Sequence, residues 1–199
     1  MPNYCYNWVT ISGEKELLDE LQSKFNAYKE NESMYFNQFC DSFFPDREDS
    51  DDFYSYGTKW WNYDVSRESY NDLLLNGDSA WGPPMEFLRK LSEQYAVVIR
   101  GEYEESGMDF GGYAIYEDGV IDDHEFSYRE WSYMNNEEQF FNELEFDAEY
   151  YDAFDQFKAE VLDSFQNKLT DDQIAEVREE FERHQDELKK RKNDQISLA

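Results

Sequence analysis

Apolar and polar positions alternate over Tyr6-Asn7-Trp8-Val9-Thr10-Ile11, and β-branched and aromatic residues fill the segment, which predicts a first strand. Ser12-Gly13 turns the chain, and Glu14 opens a helix. Its apolar stripe of Leu17, Leu21, Phe25 and Tyr28 recurs at helical spacing, with Leu18 beside it. An acidic, aromatic stretch at residues 31–56 follows, with Asp41, Asp46, Glu48, Asp49, Asp51 and Asp52 against Arg47. Its phenylalanines need burial, so it reads as an ordered insertion and not as a linker. Residues 60–65 and 70–75 have strand character, the second expected to stop at Asn76-Gly77.

Pro83-Pro84 suits the first turn of a second helix, with Phe87, Leu88, Leu91 and Tyr95 on its buried face. Ala96-Val97-Val98-Ile99-Arg100 is an apolar strand running on to Tyr103. The order β-α-β-β-α-β predicts an α+β fold of ferredoxin-like type, with helices covering one face of an antiparallel sheet. Residues 113–128 read as an added hairpin about Asp118-Gly119, a pair suited to the two-residue type I′ turn. This first domain spans residues 1–130.

The last quarter changes to helical periodicity. Tyr150, Phe154, Phe157, Val161 and Phe165 form one stripe. Thr170-Asp171-Asp172-Gln173 has the form of a capping box and opens another helix, with Ile174, Val177, Phe181 and Leu188 inside. The basic run Lys189-Lys190-Arg191-Lys192 is expected to end it, where cations suit the helix dipole. Residues 137–192 are thus expected to form an antiparallel helical hairpin. Tyr150, Phe154 and Phe157 could serve a homodimer as readily as an internal core.

Charge changes the picture most. The chain carries a net charge of −29 together with 16 Tyr, 16 Phe and 5 Trp, so it has the apolar area for a core despite a composition otherwise typical of disorder. Spread over a folded surface of order 10,000 Å², that is about one net charge per ~340 Å². Duplex DNA carries about one per ~110 Å². Residues 102–163 hold 20 acidic residues and only two basic ones, Arg129 and Lys158, enough to approach DNA-like density on one side. Such a surface repels nucleic acid and anionic lipid, so the expected partner is basic. A blander reading is a halophile-like or solubilising surface. Two cysteines, Cys5 and Cys40, form no disulfide framework. No leader-like segment and no membrane-length apolar run is visible, so a bacterial cytoplasmic location is expected.

Four short motifs stand in order: Met1-Pro2-Asn3-Tyr4-Cys5, Gly57-Thr58-Lys59-Trp60, Trp81-Gly82-Pro83-Pro84, and Glu105-Ser106-Gly107 with Phe110-Gly111-Gly112. Over about the first 120 residues this set resembles the YubB-like family of ferredoxin-like domains carried by conjugative plasmids and bacteriophages. Tyr4 stands for the family's usual Trp, Gly82 for its Ser, and Ser106 lies between the Glu and Gly. The resemblance implies the fold and a mobile-element origin. It carries over no chemistry, because the family has none established.

Read for themselves, Trp8, Trp60, Trp61 and Trp81 are expected to pack between sheet and helices, and the glycines to serve turns, bulges or close approaches. Asn3 and Asn7 would tie down the N-terminus. The functional alternative is a small-ligand pocket lined by Asn3, Cys5, Asn7, Lys59, Trp60 and Trp81. Catalytic signals are weak. His124 sits among Asp122, Asp123 and Glu125, but the only other histidine is His184, and no zinc spacing, calcium loop or phosphate cradle occurs. A non-enzyme without metal or cofactor is therefore expected. The leading expectation is an inhibitor of a basic nucleic-acid-binding protein or defence nuclease that mimics DNA. Its acidic face would run from Asp118, Asp122, Asp123 and Glu125 through Glu138, Glu143, Glu145, Asp147, Glu149, Asp152 and Asp155.

Overall fold

The computed structural model describes residues 3–29, 34–44, 55–136, 159, 161–163, 165 and 169–197. Among the described residues there are six strands: β1 Tyr4–Ser12, β2 Trp61–Arg67, β3 Asp72–Ala80, β4 Val98–Glu105, β5 Phe110–Glu117 and β6 Val120–Phe126. Between β1 and β2 lie α1 Lys15–Lys29 and the short α2 Phe36–Asp41, and α3 Met85–Gln94 joins β3 to β4. The sheet order is β2-β3-β1-β4-β5-β6. Its first four strands are antiparallel neighbours throughout, the ferredoxin-like arrangement the pattern predicts. The added hairpin extends the sheet beyond β4. Its turn has φ of +50° at Asp118 and +76° at Gly119, as a type I′ turn requires.

Two expectations need correction, and the ordered insertion is seen to carry a helix. β3 does not stop at Asn76-Gly77. It runs to Ala80, and Gly77 pairs with Asn7 on one side and Tyr63 on the other. Gly77 is needed where its neighbour β2 comes unusually close: a Cβ would lie 2.0 Å from the Asn62 carbonyl oxygen. The acidic insertion contains a helix, α2, which buries Phe36, Phe39 and Cys40. Of the four tryptophans expected between sheet and helices, Trp61 is buried, Trp60 is half-buried, and Trp8 and Trp81 are exposed.

The helices cover one face of the sheet. Cys5, Val9 and Ile11 of β1 point into a core closed by Leu18, Leu21 and Phe25 of α1, Phe39 of α2 and Phe87, Leu88 and Leu91 of α3. Phe25 is its hub, with ring centroids 5.8 Å from Phe39, 5.5 Å from Phe43, 5.4 Å from Tyr63 and 6.3 Å from Phe87. Such pairs add about 0.5–1.5 kcal/mol each beyond area burial, which helps a small core oppose the chain's self-repulsion.

The chain divides into two compact units, Met1–Glu125 and Phe126–Ala199. The second begins with α4 Tyr128–Asn135, which the sequence pattern had not suggested. A capping box starts it: Ser127 Oγ accepts from Glu130 N at 3.3 Å, and Glu130 Oε2 accepts from Ser127 N at 3.2 Å. The last helix, α5 Asp171–Ser197, opens with the expected box, since Gln173 Oε1 accepts from Thr170 N at 2.9 Å. Val177 and Phe181 of α5 form a small core with Tyr133, Val161, Phe165 and Leu169. The basic run Lys189–Lys192 does not end α5, which continues to Ser197. Tyr150, Phe154 and Phe157 lie outside the described residues.

Candidate functional site

The sequence motifs meet at one end of the sheet, where β1 begins and β3 and β4 end. Asn7 is buried on the helix side and donates through Nδ2 to the Cys5 carbonyl at 2.7 Å and to Ser79 Oγ at 2.8 Å. Ser79 Oγ in turn donates to the Gly82 carbonyl at 2.7 Å. Trp81 turns the chain at φ +70° and donates its N–H to the Asn3 carbonyl at 3.0 Å. Thr58, fully buried, donates through Oγ1 to the Ala80 carbonyl at 2.8 Å and accepts from the Ala80 N–H at 3.0 Å. Buried Glu105 accepts from Gly107 N at 3.1 Å. Four stretches far apart in sequence therefore lock one corner of the fold. Burial pushes the Cys5 thiol up to about 12, which favours the protonated form.

That corner separates the residues expected to line a ligand pocket. Cys5 and Asn7 face the helices inside the core, Lys59 and Trp81 are exposed, and Trp60 rests on the exposed ring of Tyr4 at 5.4 Å. Of the six, Trp60 lines a cavity of about 330 Å³ beside edge strand β2, with Tyr28, Lys29, Met34, Trp61, Asn62 and Tyr63. Trp61 Nε1 is buried there and has no hydrogen-bond partner among the described residues. Sequence reasoning missed this cavity, because Met34 and Tyr28 come from elements distant from the motif.

The hairpin acids are all exposed, and the turn that carries them is held in place. Arg89 of α3 donates to the Gly119 carbonyl at 3.2 Å, and Ser92 Oγ accepts from Gly119 N at 3.1 Å, so the turn is fastened to the helix layer. The same Arg89 guanidinium holds the Glu86 carboxyl below its ordinary range. Along β6 the side chains alternate between faces. Asp123 lies on the helix side, where it accepts from the Tyr103 hydroxyl at 2.7 Å, and Glu125 shares that side. Asp122 and His124 take the opposite side, His124 3.1 Å from Asp122 and stacked on Tyr113 at 4.7 Å. The hairpin thus presents carboxylates on both sides of its edge strand. Glu138, Glu143, Glu145, Asp147, Glu149, Asp152 and Asp155 lie outside the described residues. Among the described residues no group of three His, Cys, Asp or Glu could hold a metal ion, and no helix is long and apolar enough to cross a membrane.

Strand order and helix placement define a ferredoxin-like α+β domain extended by an acidic hairpin. Residues 59–154 match the family model described as the ferredoxin-like domain in Api92-like protein. Among solved structures the chain is similar to the crystal structure of a protein api92 from Yersinia pseudotuberculosis, at 12% identity and a TM-score of 0.43, covering 62% of this chain and 98% of that one. No curated protein matches.

Proposed function

We propose that this chain is a non-enzymatic accessory protein of a phage or plasmid. It captures a basic nucleic-acid-binding protein by offering carboxylates where that protein expects phosphates. The carrying observation is the hairpin side of the sheet: residues 98–126 contain nine acidic side chains against one basic, Arg100, and Glu102, Glu117, Asp118, Asp122, Asp123 and Glu125 are all exposed. The tethers from Arg89, Ser92 and Tyr103 hold the hairpin that carries those charges, which lowers the ordering cost of meeting a partner. The motif resemblance at the N-terminus supports the mobile-element origin, and restriction or other defence nucleases fit the partner chemistry. The test is capture from a bacterial lysate on the immobilised chain, with elution by duplex oligonucleotide at constant salt. A basic protein released by the duplex supports the reading; retained proteins indifferent to duplex and salt contradict it.

The cavity beside Trp60 and Trp61 favours a second reading, a small-ligand module in which the unpartnered Trp61 N–H meets an acceptor. In that case ligand addition changes tryptophan fluorescence, and surface carboxylates can be neutralised without loss.

A further inference from the structure

The face of the sheet that α1–α3 leave uncovered carries a strip of aromatic rings along its central strand. Tyr4, Tyr6 and Trp8 project there, 53%, 51% and 39% exposed. The Tyr6 and Trp8 rings stack at 6.3 Å with 27° between their planes, and Trp60 extends the strip edge-on against Tyr4. Acids flank two of these rings. Tyr6 lies between Asp78 and Glu104, and Trp8 between Asn76 and Glu102, whereas Tyr4 faces Ala80 and Asp64, next beyond Asn76, is already paired with Lys29. Directly opposed residues bring their Cβ atoms within about 4.5–5.5 Å, so Tyr6 and Trp8 each have a carboxylate beside the ring. Arg100 appears only opposite Thr10, one step past Trp8 on the same face.

Aromatic rings on the open face of such a sheet can stack nucleic-acid bases, but that use needs cationic surroundings for the phosphates. Here the surroundings repel phosphate. The group that fits a π-face with a carboxylate beside it is guanidinium. It is flat, weakly hydrated and always charged, so it can stack on the ring and donate two parallel N–H bonds to the acid. Alternate residues of an extended chain recur at about 6.6–6.8 Å, the same repeat as Tyr4, Tyr6 and Trp8 along β1.

We propose that this sheet face docks an extended, arginine-bearing segment of a basic protein, with Tyr6 and Trp8 as stacking platforms and Asp78 and Glu102 as the guanidinium acceptors. The inference rests on the reading that the chain captures a basic partner, and it names the side chain that the sheet face selects. Lysine, a compact and strongly hydrated charge, meets the acids but gains little from the rings.

The experiment titrates the full chain, by calorimetry and tryptophan fluorescence, with two peptides of equal length and charge, one built on Arg-Gly repeats and one on Lys-Gly repeats. The expected result is tighter binding of the arginine peptide by about two- to fivefold per stacked ring. That preference should collapse in Trp8→Ala and separately in Tyr6→Ala, both surface variants whose folding is checked by circular dichroism. Asp78→Asn with Glu102→Gln should weaken both peptides. Equal binding of the two peptides, unchanged in Trp8→Ala, overturns the docking proposal and leaves capture by charge standing. Binding of neither peptide at low salt contradicts the capture reading itself. A single-stranded oligonucleotide that quenches Trp8, or a dimer lost in Trp8→Ala, also overturns the proposal, by giving the face to bases or to a second copy.

Discussion

The Tyr103 hydroxyl donates to Asp123 at 2.7 Å, and the space its ring crosses exists because residue 112 is glycine: a Cβ there would lie 3.0 Å from Tyr103 Oη and 2.2 Å from the His124 carbonyl oxygen. One phenol thus fastens β6 to the body of the sheet. Tyr103→Phe should lower stability by about 1.5–3 kcal/mol, the range for a hydrogen bond to a charged group. Gly112→Ala should cost about 1–3 kcal/mol by overpacking against backbone. The control is Gly82→Ala, where nothing lies within 4 Å, expected within about 0.5 kcal/mol of the parent. Urea denaturation of the three variants decides it, and equal midpoints would contradict the fastening.

Asn7 is the other point where one side chain ties neighbouring strands, here β1 to β3. Its Nδ2 joins Cys5 to Ser79, and Ser79 continues to Gly82 at the approach to α3. Asn7→Ala leaves a buried acceptor and hydroxyl without their donor, so a loss of about 1–3 kcal/mol is expected. If Asn7→Ala instead shifts ligand or partner affinity at unchanged denaturation midpoint, the motif is a binding site and not a structural corner.

Alkaline pH should unfold the protein. Burial raises Cys5 from its ordinary 9.0 to about 12 and Tyr28 from 10.0 to about 12. It also drives Tyr63, Tyr103 and Tyr116 upward. Each group has a folded value above its unfolded one, so its contribution is complete below about pH 9 and is lost as pH rises toward 12. The urea midpoint should therefore fall steadily between pH 9 and pH 11. A midpoint constant over that window would contradict the burial of these groups.

The strand and helix order was legible because period-two and helical patterns are local properties of the chain. The side of the sheet was not. In β1 both faces carry large residues, Tyr4, Tyr6 and Trp8 on one and Cys5, Val9 and Ile11 on the other, so alternation alone could not say which face the helices cover. Placing Trp8 in the core followed from its size, and the stacked Tyr6–Trp8 pair beside Glu102 went unseen. Asn76-Gly77 misled for the opposite reason: a local turn signal was overridden by pairing with β1 and β2 on both sides, with β2 close against Gly77. The hairpin acids could be found from their turn, since Asp118-Gly119 fixes where β5 ends and β6 begins. Their division between two faces depends on where Tyr103 and Tyr113 sit in the neighbouring strands.

If carboxylates on this surface stand in for phosphates, partner binding must depend steeply on salt. With the basic protein released by duplex DNA in hand, its affinity for the full chain is measured at 50, 100 and 200 mM salt. Between the extremes the account predicts a loss of about tenfold or more, deepened by moving from low net neutralisation to the parent charge, because several screened ion pairs form at once. An affinity that stays flat across that range would contradict mimicry and turn attention to the cavity at Trp60 and Trp61.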